Sequence, residues 1–284
     1  MHNIMMIVVA LLFIIQTRVP VAYEYTKEDE VVKSMKYSSK GPHKILVDIF
    51  NGSIAVTGYD SDDVQIKIHR TLYAKSKRSL EEAVQKAQIE LNEREQGKIA
   101  VYLHVPWRTK DGGMEDQNLL RYDYDVSCNV EIKLPRHTDV VLKMVDRGDI
   151  SIHNVDGNFE IRHVNGSIFM NEITGSGKAE TVIGDVDVRF KENPTHTSSF
   201  QTVNGDIKAH FPKSLSANLV MKTVSGEVLT DFEGVNLPNK PTVEEHKQKK
   251  IYRIDDARVL KVGNNGPELI FNTMNGSVSV LKNN

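Results

Sequence analysis

Four aspartates, Asp149, Asp185, Asp187 and Asp206, follow or adjoin glycines in the middle of the chain. Carboxylates gathered in this way are raw material for calcium binding or for acid–base work on a saccharide, provided a basic residue shares their cleft. Asp149 also closes the tripeptide Arg147-Gly148-Asp149, which on a cell-surface protein can be read as an integrin ligand. In VPWRTKDGGMEDQN, residues 105–118, Trp107 stands beside Arg108. An aromatic face next to a cation can contact a sugar or a protein, although Trp107 can equally fold back onto a core. Trp107, Arg108, Arg147 and Asp149 are therefore the binding candidates.

Other chemistries are poorly supplied. Cys128 is the single cysteine, which excludes disulfide frameworks and Cys-based zinc sites within one chain. It lies in YDYDVSCNVEIKL, where apolar and polar residues alternate, and it falls on the apolar side as a structural thiol. The ten histidines form no His-x-x-x-His or His-Glu-x-x-His pair. A nonapeptide calcium site needs Gly-Gly-x-Gly-x-Asp, and ITGSGKAET lacks the aspartate. No cofactor, metal or catalytic set is expected. The net charge of −2, from 36 basic and 38 acidic residues, argues against a nucleic-acid partner.

The elements that would hold these residues repeat. IFNGSIAV, VDRGDISI, HVNGSIFM, TVIGDVDV, TVNGDIKA, TVSGEVLT and TMNGSVSV share one order: apolar residue, glycine turn, small polar residue, apolar residue. Gly148, Gly157, Gly166, Gly175 and Gly184 follow at nine-residue steps, and Gly205 and Gly226 at steps of 21. Asn-Gly between alternating runs is a hairpin signal. Hairpins, however, give no reason for the same side-chain order to recur at each turn. Stacked coils do. The expected fold is all-β, a parallel β-solenoid with coils of 18–21 residues and glycine turns that need positive φ. Ile150, Ile152, Phe159, Ile161, Ile168, Val186, Val188, Ile207, Val228, Val278 and Val280 should point inward. Asn165, Asn204, Ser225 and Asn275 should line one corner.

Two segments interrupt the repeat. Residues 79–95, SLEEAVQKAQIELNERE, read as an amphipathic helix with Ser79 and Glu82 as its capping box and Leu80, Val84, Ala87 and Leu91 on one face. It would be an insertion or cap covering the sheet or an end of the stack. The polar stretch near 234–267 reads as an excursion. Residues 4–15, IMMIVVALLFII, are too short for a membrane span of about 20 residues and fit a signal peptide over 1–22. An uncleaved anchor is the alternative and the only expected link to a membrane. Residues 23–37 read as a linker, 38–135 as an N-terminal β region and 136–284 as the repeat, with 38–284 one continuous domain. Asn51, Asn165 and Asn275 head Asn-Gly-Ser sequons that coincide with repeat turns.

NGSIAVTGYDSDDVQI from Asn51, the helical insertion, VEIKLPRHTDVVLKMVDRGDISI and the terminal NTMNGSVSV resemble, in that order, a family of exported candidate adhesins. That family is a domain of unknown function related to the autotransporter-adhesin head domain, and the resemblance spans residues 38–284. It implies a solenoid-like fold and brings no catalytic residues. The expected function is an exported, non-enzymatic binding or structural module of the cell envelope, with an unidentified protein or glycan as partner. A carbohydrate-active enzyme and a periplasmic sensor or scaffold for an envelope regulator are the alternatives. Export leaves the periplasm, the cell surface and the medium open as locations.

Overall fold

The computed structural model describes residues 22–38, 41–95, 97–109, 122–234, 242–246, 249–253 and 258–283. The apolar segment 4–15 lies outside them, as does most of 105–118. In chain order the elements begin with β1 (Tyr25–Lys36), β2 (His43–Ile49), β3 (Gly52–Tyr59), β4 (Asp63–Ala74), α1 (Lys77–Lys86), β5 (Gln88–Glu95), β6 (Lys98–His104) and β7 (Tyr124–Pro135). The glycine-rich middle supplies β8 (Thr138–Met144), β9 (Ile150–His153), β10 (Phe159–His163), β11 (Ile168–Ile173), β12 (Gly177–Glu180) and β13 (Val186–Phe190). Then come β14 (Ser198–Gln201), β15 (Ile207–Phe211), β16 (Ala217–Lys222) and β17 (Val228–Thr230). The last elements are β18 (Thr242–His246), β19 (Lys249–Arg253), β20 (Arg258–Val262), β21 (Glu268–Asn272) and β22 (Val278–Lys282).

The protein is all-β with one helix among the described residues. Its strands form two sheets, ordered β1-β4-β7-β3-β9-β11-β13-β15-β22-β17-β19-β18 and β20-β16-β21-β14-β12-β10-β8-β2-β6-β5. From β8 to β17 each strand of the second sheet is followed by one of the first, so the chain winds between them. The expectation of purely parallel sheets is corrected. Pairing is parallel from β7 to β17 and from β6 to β16, but antiparallel at β1–β4–β7, β17–β19–β18, β5–β6 and β16–β20. A stack of coils ends in open backbone donors and acceptors, and reversed strands cover them without another full turn. On the outermost of these, β1, Lys27, Glu28, Asp29, Glu30, Lys33 and Lys36 crowd one edge with charge, which discourages further pairing.

The register explains the core. Ile54, Ile150, Ile168, Val186, Ile207, Val278 and Val228 form one column across the first sheet, each opposite the next. All the residues expected to point inward are buried. Each such side chain contributes about 1.5–3 kcal/mol relative to exposure. Toward the end of the repeat, aromatic rings fill the interior. Phe190 stacks on Phe211 at 4.8 Å between centroids and Phe200 on Phe271 at 5.4 Å.

The coils do not stack in chain order. The turn made by β6 and β7 lies outside the earlier turn of β2 and β3, while β8 and β9 continue on its other side. At the opposite end, β21 and β22 insert between the β14–β15 turn and the β16–β17 turn. The 50-residue step from Gly226 to Gly276 therefore runs past the end of the stack and returns inside it. Its described strands β18, β19 and β20 are the antiparallel cover.

The helix also departs from expectation. Ser76 is its N-cap, with the Ser79 amide donating to Ser76 Oγ at 3.1 Å and the Ser76 amide to Ser79 Oγ at 3.0 Å. The helix ends at Lys86, and Gln88–Glu95 is a strand antiparallel to β6. Leu91 continues the helical face of Leu80, Val84 and Ala87, but Ile89 and Leu91 together fit a period of two, and the open edge of β6 decides for the strand by offering backbone partners. Helix α1 packs beside β4 and β7, with Ala83 buried and Leu80 and Val84 turned to the core. The segment 23–37, expected as a linker, holds β1.

Candidate functional site

The turn corner is built from three rows of residues. Gly52, Gly148, Gly166, Gly184, Gly205, Gly276 and Gly226 stack in that order, each against the carbonyl oxygen of the one before. A Cβ on Gly148 would lie 1.5 Å from the Gly52 oxygen, and its φ of 117° favours glycine as well. Gly205 differs, because its φ lies outside the left-handed range. Close approach of the neighbouring coil, and not positive φ, demands glycine there.

The residue after each glycine forms the second row. The Ser167 amide donates to Asp149 Oδ1 at 2.8 Å and the Asp185 amide to Ser167 Oγ at 3.1 Å. The Asp206 amide donates to Asp185 Oδ1 at 2.8 Å and the Ser277 amide to Asp206 Oδ1 at 2.7 Å. The third row lies three residues before each glycine. Thr181, Thr202, Thr273 and Thr223 donate their hydroxyls to the carbonyls of Gly166, Gly184, Gly205 and Gly276 at 2.7–2.9 Å. His163 takes the threonine's place in its own coil. The His163 Nε2 lies 2.8 Å from the Gly148 oxygen, and its Nδ1 lies 3.0 Å from the Met144 oxygen and 2.9 Å from the Val164 amide. These threonines escaped the sequence reading, although Thr-x-x-Gly recurs at 181, 202, 223 and 273 and was the signal that could have found them.

Asn165, Ile183, Asn204, Asn275 and Ser225 align along the same corner, and Asn275 Nδ2 donates to Asn204 Oδ1 at 2.7 Å. Of the sequon residues, Asn51 is buried and Asn275 is exposed.

The four binding candidates do not converge on one cleft. The Asp149 carboxylate is engaged by the next coil, and Gly148 is locked beneath its neighbour, so Arg147-Gly148-Asp149 is a fixed corner. Arg147 leans on Asp125 at 3.4 Å and Asp146 at 3.6 Å, with its side chain 63% exposed. Trp107 is buried against Phe50, Tyr122 and Tyr124, at 5.8, 5.0 and 5.7 Å between centroids. Arg108 forms an ion pair with Asp48, and both side chains are buried. Asp48 lies 60 positions away, and nothing in the sequence announces the pair. Cys128 is enclosed, and burial pushes its thiol up to about 12, so it is not a nucleophile at neutral pH.

The flanks are mixed in polarity. Ser151, Phe169, Asp187, Lys208 and Ser279 lie in one outward row across five strands of the first sheet. Phe169 is exposed in that row. On the second sheet Glu160 pairs with Arg162 at 3.0 Å, and Lys178 pairs with Glu180. Among the described residues, no group of three or more His, Cys, Asp or Glu side chains is placed to hold a metal. No helix among them is long and apolar enough to cross a membrane.

Residues 127–262 match the sequence profile of the Toastrack DUF4097 family. The match begins within β7 and ends with β20, a narrower span than the resemblance from residue 38 implied. The two strands inserted out of order, β21 and β22, thus lie beyond the Toastrack match yet pair with strands inside it. Among solved structures, a Clostridium sporogenes protein whose name provisionally assigns it to cell adhesion is 12% identical, with 90% of this chain and 100% of that one covered and a TM-score of 0.40. A Bacteroides fragilis protein provisionally named an adhesin is 10% identical over 89% and 97%, with a TM-score of 0.39. A Parabacteroides distasonis protein provisionally named as lipid-binding is 12% identical over 90% and 97%, with a TM-score of 0.29. Likeness at these scores carries no argument about fold or function. No curated protein matches the chain.

Proposed function

We propose that the protein is an exported β-solenoid that works through its surface, as a non-enzymatic adhesive or structural module of the cell envelope. The observation that carries this reading is the fate of the turn carboxylates. Asp149, Asp185 and Asp206 each accept a backbone amide of the next coil through Oδ1, so joining coils accounts for a carboxylate after the turn glycine without calling on catalysis. What the stack offers to solvent is area: long flanks with aligned mixed rows, of which the row through Phe169 is one. Such a surface suits contact with a protein or a glycan. Export follows from the apolar segment 4–15, which in this reading is a signal or an N-terminal anchor.

The test is to label the purified protein and apply it to an array of glycans and matrix proteins, with the supernatant assayed for released sugar. Saturable binding without release supports the proposal. Release of sugar from any polysaccharide would refute it in favour of an enzyme, and binding to nothing on the array would remove the adhesive reading.

A further inference from the structure

A cavity of about 520 Å³ opens between the start of α1 and the strand end at Tyr124, lined by Ser76, Arg78, Ser79, Glu82, Lys86, Pro106, Tyr122, Asp123 and Tyr124. Its size falls within the range of ligand sites. The charges in it are unequal in their commitments. Lys86 pairs with Glu82 at 2.8 Å, and Lys75 reaches in to pair with Asp123 at 2.8 Å. Ser76 and Ser79 spend their hydroxyls on the helix cap. Arg78 is exposed and, among the described residues, has no carboxylate within ion-pair distance, which leaves one uncompensated guanidinium on the wall. Guanidinium is the side-chain group best shaped to take a carboxylate in two parallel hydrogen bonds.

The floor supplies the second observation. Tyr124 is 3% exposed, and its hydroxyl is buried with no hydrogen-bond partner among the described residues. A buried hydroxyl left unsatisfied costs about 1–3 kcal/mol, and a ligand hydroxyl would recover that. Burial, and then the nearby Glu82 carboxylate, hold this phenol above its ordinary range, so it stays protonated as a donor. Tyr122 and Pro106 complete the wall, and Trp107 stands behind Tyr122 and Tyr124 and fixes their rings. An aromatic ring beside a proline accepts the C–H face of a pyranose, and a wall this polar does not suit a lipid tail.

We infer that this cleft binds an acidic saccharide, a pyranose carrying a carboxylate, with Arg78 on the carboxylate, Tyr124 on a ring hydroxyl and Tyr122 against the ring. The inference deepens the binding-module reading and rests on it. Trp107 then serves sugar binding from behind the contact surface, as a positioning residue.

The test uses the purified full chain and titrates oligoglucuronate, the carboxyl-reduced neutral oligosaccharide of the same length, and an oligoglutamate peptide, by calorimetry. Arg78→Ala and Tyr124→Phe are titrated beside it, each first shown to melt like the parent. Oligoglucuronate should bind at least tenfold more tightly than the other two, with Arg78→Ala losing about tenfold and Tyr124→Phe several-fold. Equal binding of the neutral sugar, equal binding of the peptide, or variants that bind like the parent would overturn the assignment. If oligoglucuronate is ignored while other glycans or matrix proteins on the array are bound, the cleft assignment falls and the binding module stands. If nothing is bound at all, both fall together.

Discussion

Replacing Gly205 with alanine tests the corner directly. An added Cβ would lie 2.0 Å from the Gly184 carbonyl oxygen, whereas ordinary contact begins near 3.4 Å. The two coils must therefore part by roughly 1.4 Å, and overpacking of that kind costs about 1–3 kcal/mol. Parting them also stretches the Gly184 amide bond to the Asn204 oxygen at 3.0 Å and the Thr202 hydroxyl bond to the Gly184 oxygen at 2.8 Å. Each lost bond removes about 1 kcal/mol, so the expected destabilisation is about 3–5 kcal/mol. No share of this comes from φ, since Gly205 is not in the left-handed range, and alanine slightly favours folding by restricting the unfolded chain. Urea denaturation of Gly205→Ala measures the loss, with the exposed Lys208→Ala as a control expected to stay within about 0.5 kcal/mol of the parent. A loss below about 1 kcal/mol for Gly205→Ala would show that the coils are not held this close, and the account of the glycine column would fail.

Three further outcomes follow from the same contacts. Thr202→Val keeps the shape but removes the donor to Gly184, and should cost about 1–2 kcal/mol in the same urea assay. Arg108→Met strands the buried Asp48 carboxylate and should cost about 3–5 kcal/mol, while adding Asp48→Leu should restore most of it, as a double-mutant cycle will show. His210 is buried, and desolvation first, with Arg189 and Lys208 behind it, lowers its pKa below the ordinary 6.5. The unfolded chain then takes up a proton that the folded one resists, so this group's contribution is full above pH 6.5 and is lost as pH falls below it. His210→Phe should flatten the stability profile below about pH 6.5, measured by urea midpoints, and an unchanged slope would contradict the assignment.

Much of the stack could be read from spacing. The columns through Ile150, Ile168 and Val186 follow from a period-two pattern anchored to a glycine, because one face of every strand is buried and a slip of one residue would expose it. The corner row of Asn165, Asn204, Asn275 and Ser225 followed from the same register. What could not be read was long-range. Nothing local tells that Gly276 rests on Gly205 instead of Gly226, since every coil presents the same turn and the choice depends on where a 50-residue excursion returns. Residues 88–95 fit two periods, and the partner strand that decides between them is not in the window. Trp107 and Arg108 looked like surface chemistry because their burial depends on Phe50 and Asp48, brought close only by the winding of the chain.

The out-of-order coil has a consequence for how the protein is made. During translation, the β14–β15 and β16–β17 turns emerge before the strands that lie between them, so they cannot adopt their final neighbours as they appear. Native pairing inside both sheets waits for β21 and β22, which follow both of those turns in the chain. A chain stopped before β21 is not a slightly shorter stack but one missing an internal layer. The fold therefore closes only once β21 and β22 are in place, and chains lacking them should be recognised by open sheet edges that quality-control proteases can reach.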